Sequence, residues 1–140
     1  MATPSHLTLH IVTPTRAIAC EQVDEIVIPA TEGSLGVLPG HTPLLTALQV
    51  GELRYRKGQK WVDTLIAFGF AEVLPDQVII LGQIAEHVEE IDVARAEAAR
   101  MRAEARLAKP TLDMDYERTR IAQLKALARL QVAAKNRIRT

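Results

Sequence analysis

Four histidines, one cysteine and seventeen acidic residues are the groups with which this 140-residue chain could do chemistry, and their spacing removes most of the options. Glu89 and Glu90 form a carboxylate pair of the type used in general acid–base catalysis. Adjacent side chains point apart, however, and no serine, histidine or cysteine converges on them in sequence. A solvated linker accounts for both. His6 and His10 would share one face of a strand and offer two imidazoles to a metal, but no third ligand accompanies them. Cys20 has no base marked for it and reads as a small core residue. No glycine-rich phosphate loop with its lysine occurs, so nucleotide hydrolysis by this chain is not expected. The remaining pair is Asp92 and Arg95, three residues apart at the head of an alanine-rich segment. A helix cap followed by an exposed cation is the structural reading.

The elements that must position these groups fall into two halves. In the first, Leu7, Leu9 and Ile11 alternate with His6, Thr8 and His10, the period of a half-buried strand. Arg16 to Cys20 and Val23 to Ile28 read as further strands, stopped by Pro29. A ribbon from Pro29 to Leu48 then carries Gly33, Gly36 and Gly40 with Pro39 and Pro43, too punctuated for a helix or a central strand. Its leucines and Val37 suggest that it lies against a core, with the tightest turn at Pro39-Gly40 and His41 near a surface. Leu44 to Leu48, Gly51 to Lys57, Trp61 to Phe68, Phe70 to Leu74 and Gln77 to Leu81 complete the strands. Turn signals every 8–12 residues or so point to an all-β sandwich or barrel.

Alternation stops near Gly82. An acidic connector, Glu86 to Ile91, leads to Asp92 as an N-cap. Val93 to Lys109 contains seven alanines and neither glycine nor proline, and Pro110 ends the helix expected there. Asp113 or Asp115 caps a second helix running to about Ala134, with Ile121, Leu124, Leu127, Ala128 and Leu130 as its apolar stripe. The expected organisation is a β-sandwich over residues 1–86 followed by an antiparallel α-helical hairpin over residues 87–140. The first helix has only Val93, Met101 and Leu107 as large apolar side chains, each worth about 1.5–3 kcal/mol when fully buried. Docking of the hairpin on the sandwich is therefore expected to be weak, with an undocked state populated at roughly 0.1–10%.

Composition bounds the class. A globule of this length buries roughly 68% of its unfolded surface, enough for one core. No run of eighteen apolar residues spans a membrane, no secretory signal is expected, and a single cysteine suits a reducing cytoplasm. Net charge is zero, yet residues 1–86 hold five Lys/Arg against nine Asp/Glu and residues 87–140 hold twelve against eight. The second half, at +4, invites an acidic partner. With Tyr116 as its one aromatic residue it is ill suited to stacking nucleic-acid bases. Two phenylalanines, two tyrosines and one tryptophan in all make a carbohydrate-binding or β-sandwich enzyme cleft a weak reading.

The run from Gly33 to Thr46, G-S-L-G-V-L-P-G-H-T-P-L-L-T, strongly resembles the epsilon subunit of the bacterial F-type ATP synthase. Ile91-Asp92-Val93-Ala94-Arg95-Ala96 resembles the same family's hinge motif. Phe68-Gly69-Phe70-Ala71-Glu72-Val73 matches its G-G-x-x-E-V run, with a ring in place of the first glycine. The resemblance covers essentially the whole chain. It implies a non-catalytic rotor subunit of the central stalk, held between the gamma subunit and the c ring on the cytoplasmic face of the bacterial plasma membrane. Proton-driven rotation would pass through it to ATP synthesis. It also implies that the C-terminal helices meet the beta and alpha subunits and brake ATP hydrolysis. The basic residues Lys125, Arg129, Lys135, Arg137 and Arg139 suit that contact. Glu32, Ser34 and His41 lie where the family meets the rotor ring, though other members often carry an acid in place of Ser34. No cofactor is required. Some members bind ATP as a regulatory ligand, and the matching positions are Glu86, Ile91, Asp92, Arg95, Ala96, Lys125 and Arg129. Lys125 replaces an arginine there, keeping the charge but losing the planar fork that grips phosphate. The alternative is a stand-alone ATP-sensing protein.

Overall fold

The computed structural model describes residues 3–139, the side chain of Arg139 excepted. The backbone divides into two units between His87 and Val88, one residue beyond the boundary drawn from composition.

The first unit is a single eight-strand sheet folded into a sandwich: β1 (Leu7–Val12), β2 (Ala17–Val23), β3 (Glu25–Ala30), β4 (Gly33–Val37), β5 (Leu44–Leu48), β6 (Gly51–Lys57), β7 (Lys60–Val73) and β8 (Gln77–His87). The strand order is β2-β1-β8-β7-β5-β3-β4, with β6 pairing both β3 and β7. All pairings are antiparallel except that of β1 with β8. The alternation of β1 has the predicted consequence, since Leu7, Leu9 and Ile11 are fully buried. They meet Ile26, Ile28, Val37, Leu53, Tyr55, Ile66, Val73, Val78 and Ile80 in one core.

Strand β7 is where sequence and structure differ most usefully. It is one continuous strand rather than two. Its first half pairs with β6, Gly51 opposite Ile66 through Lys57 opposite Lys60. Its second half pairs with β5, Leu48 opposite Gly69 through Leu44 opposite Val73. At the changeover Phe68 holds φ at 55° and Gly69 at 132°. The family's double glycine suits that geometry without strain, and here a phenylalanine occupies the left-handed position instead. Gly69 faces Gly82 of β8, and a Cβ built on Gly69 would stand 1.8 Å from the Leu81 carbonyl oxygen.

Three other expectations need correction. Strand β8 runs through Gly82 to His87, because that glycine serves a close strand crossing and does not end the strand. Strands β2 and β3 both start and end later than expected. Cys20 is exposed, because edge strand β2 turns it outward opposite His10.

The second unit opens with a 3-10 turn at Val88–Glu90, followed by α1 (Val93–Ala108) and α2 (Tyr116–Arg139). Asp92 caps α1, its Oδ1 accepting the Arg95 backbone N–H at 3.0 Å. Of the two candidates for the second cap, Asp115 is the one used, accepting from Arg118 N at 3.0 Å. Helix α2 continues five residues past Ala134, since no glycine or proline follows to stop it. The buried positions are small. On α1 they are Ala96 and Ala103, and on α2 Thr119, Ala126, Ala128, Val132 and Ala133. Leu124 and Leu127, expected in the buried stripe, are 43% and 37% exposed.

Candidate functional site

Within the sandwich, the turn-rich ribbon resolves into a strand and a tied loop. Ala30 pairs with Gly33 across a tight β3–β4 turn that carries Glu32 at its tip. Gly33 has φ 127°, which the turn requires. Ser34 follows opposite Pro29, and both Glu32 and Ser34 are exposed. The second turn is closed by His41 N donating to the Leu38 carbonyl at 3.2 Å. It is anchored to the β7–β8 turn by Gly40 N donating to the Pro75 carbonyl at 2.7 Å. His41 Nδ1 lies 2.7 Å from the Thr42 carbonyl oxygen, so its Nδ1–H donates there and fixes the ring. No hydrogen bond or ion pair joins Glu32, Ser34 and His41 among the described residues. They are presented as a surface and not as a chemical constellation.

An apolar surface escaped the sequence reading. Leu45, Phe70 and Leu81 are 70%, 56% and 52% exposed. Phe70 faces Ala47 on β5 and Leu81 on β8, and Leu45 is two residues from Ala47. Three adjacent strands therefore raise large apolar groups on one outer face. The signal was available: Ala71 and Val73 are buried, so strand alternation turns Phe70 and Glu72 outward. Leu38 and Leu44, at 55% and 39%, also stand in solvent, so the ribbon lies only partly on the core, through Leu35, Val37 and Leu48.

One end of the sandwich carries an ionic cluster. Asp24 accepts Gly58 N–H at 2.7 Å and faces His6 Nδ1 at 3.1 Å. The Gly58 amide holds the Asp24 carboxyl below the ordinary aspartate range, and His6 and Arg56 add to this. Lys57 reaches Glu21 at 3.1 Å. Burial works against the Glu21 carboxylate, but bonds from Tyr55 and Lys57 outweigh it and hold its pKa down. His6 is thus engaged with a carboxylate and shares no ligand set with His10. Among the described residues no group of three His, Cys, Asp or Glu is placed to hold a metal.

In the helical unit, Ile91 precedes α1, Asp92 is its N-cap, and Arg95 and Ala96 lie in its first turn, Arg95 exposed and Ala96 buried. Asp92 is committed to its cap. Lys125 and Arg129 stand one turn apart on α2 and line an open concavity of about 540 Å³ with Ala99, Asp115, Glu117, Arg118, Ile121 and Ala122. None of Ile91, Asp92, Arg95 and Ala96 lines it. Glu86 lies on β8, opposite Leu65. On α1, Arg100 is clasped by Glu97 and Glu104, a pairing that pushes the Arg100 guanidinium further toward its charged form, Glu97 first.

The chain is thus an eight-strand sandwich with an exposed apolar face on β5, β7 and β8, followed by a two-helix unit. The sequence matches the family profile of the ATP synthase delta/epsilon chain β-sandwich domain over residues 6–88 and that of its long α-helix domain over residues 89–134. The chain belongs to that family, as an epsilon-type subunit of the F-type ATP synthase central stalk. The ATP synthase epsilon chain of Syntrophobacter fumaroxidans is 52% identical over 129 residues, 92% of this chain and 96% of that one. The epsilon chain 2 of Syntrophotalea carbinolica is 48% identical over 130 residues, 92% and 94% of the two chains. Among solved structures, a chain in the Euglena gracilis mitochondrial ATP synthase OSCP/F1/c-ring assembly superposes with a TM-score of 0.82 at 26% identity, covering 99% of this chain and 84% of that one. A chain from the Tetrahymena thermophila central stalk and c ring shares the fold, with a TM-score of 0.58, 18% identity and coverage of 97% and 98%. ATP synthesis and ion transport are the work of the complex to which such a subunit belongs. Among the described residues no helix is long and apolar enough to cross a membrane.

Proposed function

We propose that the sandwich is clamped between the gamma subunit and the c ring, and that the helical unit restrains ATP hydrolysis by meeting the beta and alpha subunits. One observation carries the first part. Leu45, Phe70 and Leu81 stand together in solvent on β5, β7 and β8. Each such side chain gains about 1.5–3 kcal/mol when covered, so the face suits a permanent protein neighbour, and gamma is the one we assign to it. Glu32, Ser34 and His41, on the two turns of the ribbon, form the surface offered to the c ring. On this reading the subunit works at the cytoplasmic face of the bacterial plasma membrane, peripheral to it through the complex.

ATP is the regulatory ligand we propose for the helical unit, with Lys125 and Arg129 toward its phosphates, Ile91, Asp92, Arg95 and Ala96 as the hinge segment that responds, and Glu86 as the acidic residue upstream in the chain. Two cations a turn apart in one concavity support this reading. The test has two arms. Leu45→Asp with Phe70→Asp in the intact chain is expected to abolish co-purification with gamma and the c ring; retention of both would overturn the clamp. Removal of residues 91–140 is expected to raise ATP hydrolysis by the reconstituted complex, and unchanged hydrolysis would overturn the restraint.

A further inference from the structure

A single carboxylate stands inside the exposed apolar face of the sandwich. Glu72 of β7 lies opposite Leu45 of β5 on one side and Ile79 of β8 on the other. Phe70 and Leu81 form the next row along. The flanking residues Ala71 and Val73 are buried, so strand alternation turns Glu72 outward with the apolar groups. Across β5 and the stretches 69–73 of β7 and 77–81 of β8, it is the one Asp, Glu, Lys or Arg. Its side chain is exposed and has no hydrogen bond or ion pair among the described residues. These strands offer it no cation, since neither lysine nor arginine occurs in β5 or from residue 61 to residue 94.

In water that arrangement is harmless, because solvent satisfies the carboxylate. Under a covering protein the solvent is lost, and a charge left unpaired in an apolar contact is costly. The hydrophobic effect is also non-directional, so Leu45, Phe70 and Leu81 can hold a partner without fixing where on the face it sits. We propose that Glu72 sets that register: the gamma subunit presents a guanidinium to the Glu72 carboxylate inside the apolar contact. This rests on the assignment of the face to gamma and adds the chemistry that gamma must bring. Arginine suits the task, because its planar group is weakly hydrated and offers two parallel N–H donors to two carboxylate oxygens. A second copy of this chain brings neither lysine nor arginine on the same stretches, so it does not meet the requirement. A pair of opposite charges at a contact rejects wrong alignments as well as wrong partners.

The experiment measures the affinity of the intact chain, carrying a fluorophore at its N-terminus, for an ATP synthase complex stripped of its epsilon-type subunit. Glu72→Leu enlarges the apolar face but leaves the partner's cation unpaired, and is expected to weaken binding at least about tenfold. Glu72→Gln is expected to do the same. Asp76→Asn removes an equal charge from the neighbouring β7–β8 turn, and is expected to change binding less than about twofold, because an exposed charge outside the contact is screened. Leu45→Asp with Phe70→Asp is expected to abolish binding. Thermal midpoints of both Glu72 variants are expected to match the parent, since the side chain they replace packs in no core. Binding of Glu72→Leu as tight as the parent's would overturn the proposal, as would equal weakening by Asp76→Asn; in either case loss of binding by the Leu45 and Phe70 pair leaves the assignment to gamma standing. Undiminished binding by that pair would overturn the assignment and the proposal together.

Discussion

Replacing Gly69 with alanine should cost the sandwich more than any other single methyl group added to it. Two separate penalties meet at this residue. Its φ of 132° lies where side-chain-bearing residues pay about 1–3 kcal/mol. The added Cβ would also stand 1.8 Å from the Leu81 carbonyl oxygen and 3.0 Å from the Gly82 Cα. Those neighbours are backbone, inside a paired ladder, and cannot rotate aside. Forcing a methyl group into such a site typically costs a further 1–3 kcal/mol. The sum, about 2–6 kcal/mol, is a large share of the roughly 5–15 kcal/mol that holds a domain folded. For a unit of this size each kcal/mol moves the midpoint by about 4–8 °C, so a fall of at least about 8 °C is expected. Thermal unfolding followed by the fluorescence of Trp61, the one tryptophan, reads the sandwich directly. Gly36→Ala is the control, because an added Cβ there meets nothing within 4 Å. A Gly69→Ala midpoint within 2 °C of that control would refute the argument that the β7 changeover demands glycine.

Phe68→Gly, at φ 55°, should destabilise by less than about 1 kcal/mol. Relief of the left-handed strain, about 1–2 kcal/mol, offsets much of the lost packing, and the same unfolding assay checks it. Asp92→Ala removes the acceptor for Arg95 N and should cost α1 about 1 kcal/mol, read as faster amide exchange over its first turn. Asp24 has a folded pKa below its unfolded value, so its contribution is fully present above about pH 4 and is lost as pH falls further. Asp24→Asn should flatten the decline of the urea midpoint below that pH, and a parallel decline in both proteins would contradict this.

Much of the fold was legible because local pattern and tertiary burial agree. Leu7, Leu9 and Ile11 alternate and are all buried. Asp92 precedes an alanine-rich run and does cap it. Failures arose where one residue type serves opposite ends. Gly82 reads as a strand break but serves a crossing opposite Gly69. Leu124 and Leu127 outweigh alanine on any hydrophobicity scale, yet beside the expected Ala128 the buried positions of α2 include Ala126 and Ala133, since closely packed helices favour small side chains. The Leu45, Phe70 and Leu81 face was hidden for a related reason. An apolar residue in a strand is assigned by default to the core, and only the phase of its neighbours reveals that it points out.

The parallel pairing of β1 with β8 sets a schedule for synthesis. Thr8 waits for Gln77 and Val12 for Leu81, so β1 lacks one of its neighbours until nearly the whole unit has followed. Non-local pairings of this kind slow folding. The two helices follow the sandwich in the chain, so every strand has been made while they are still being added.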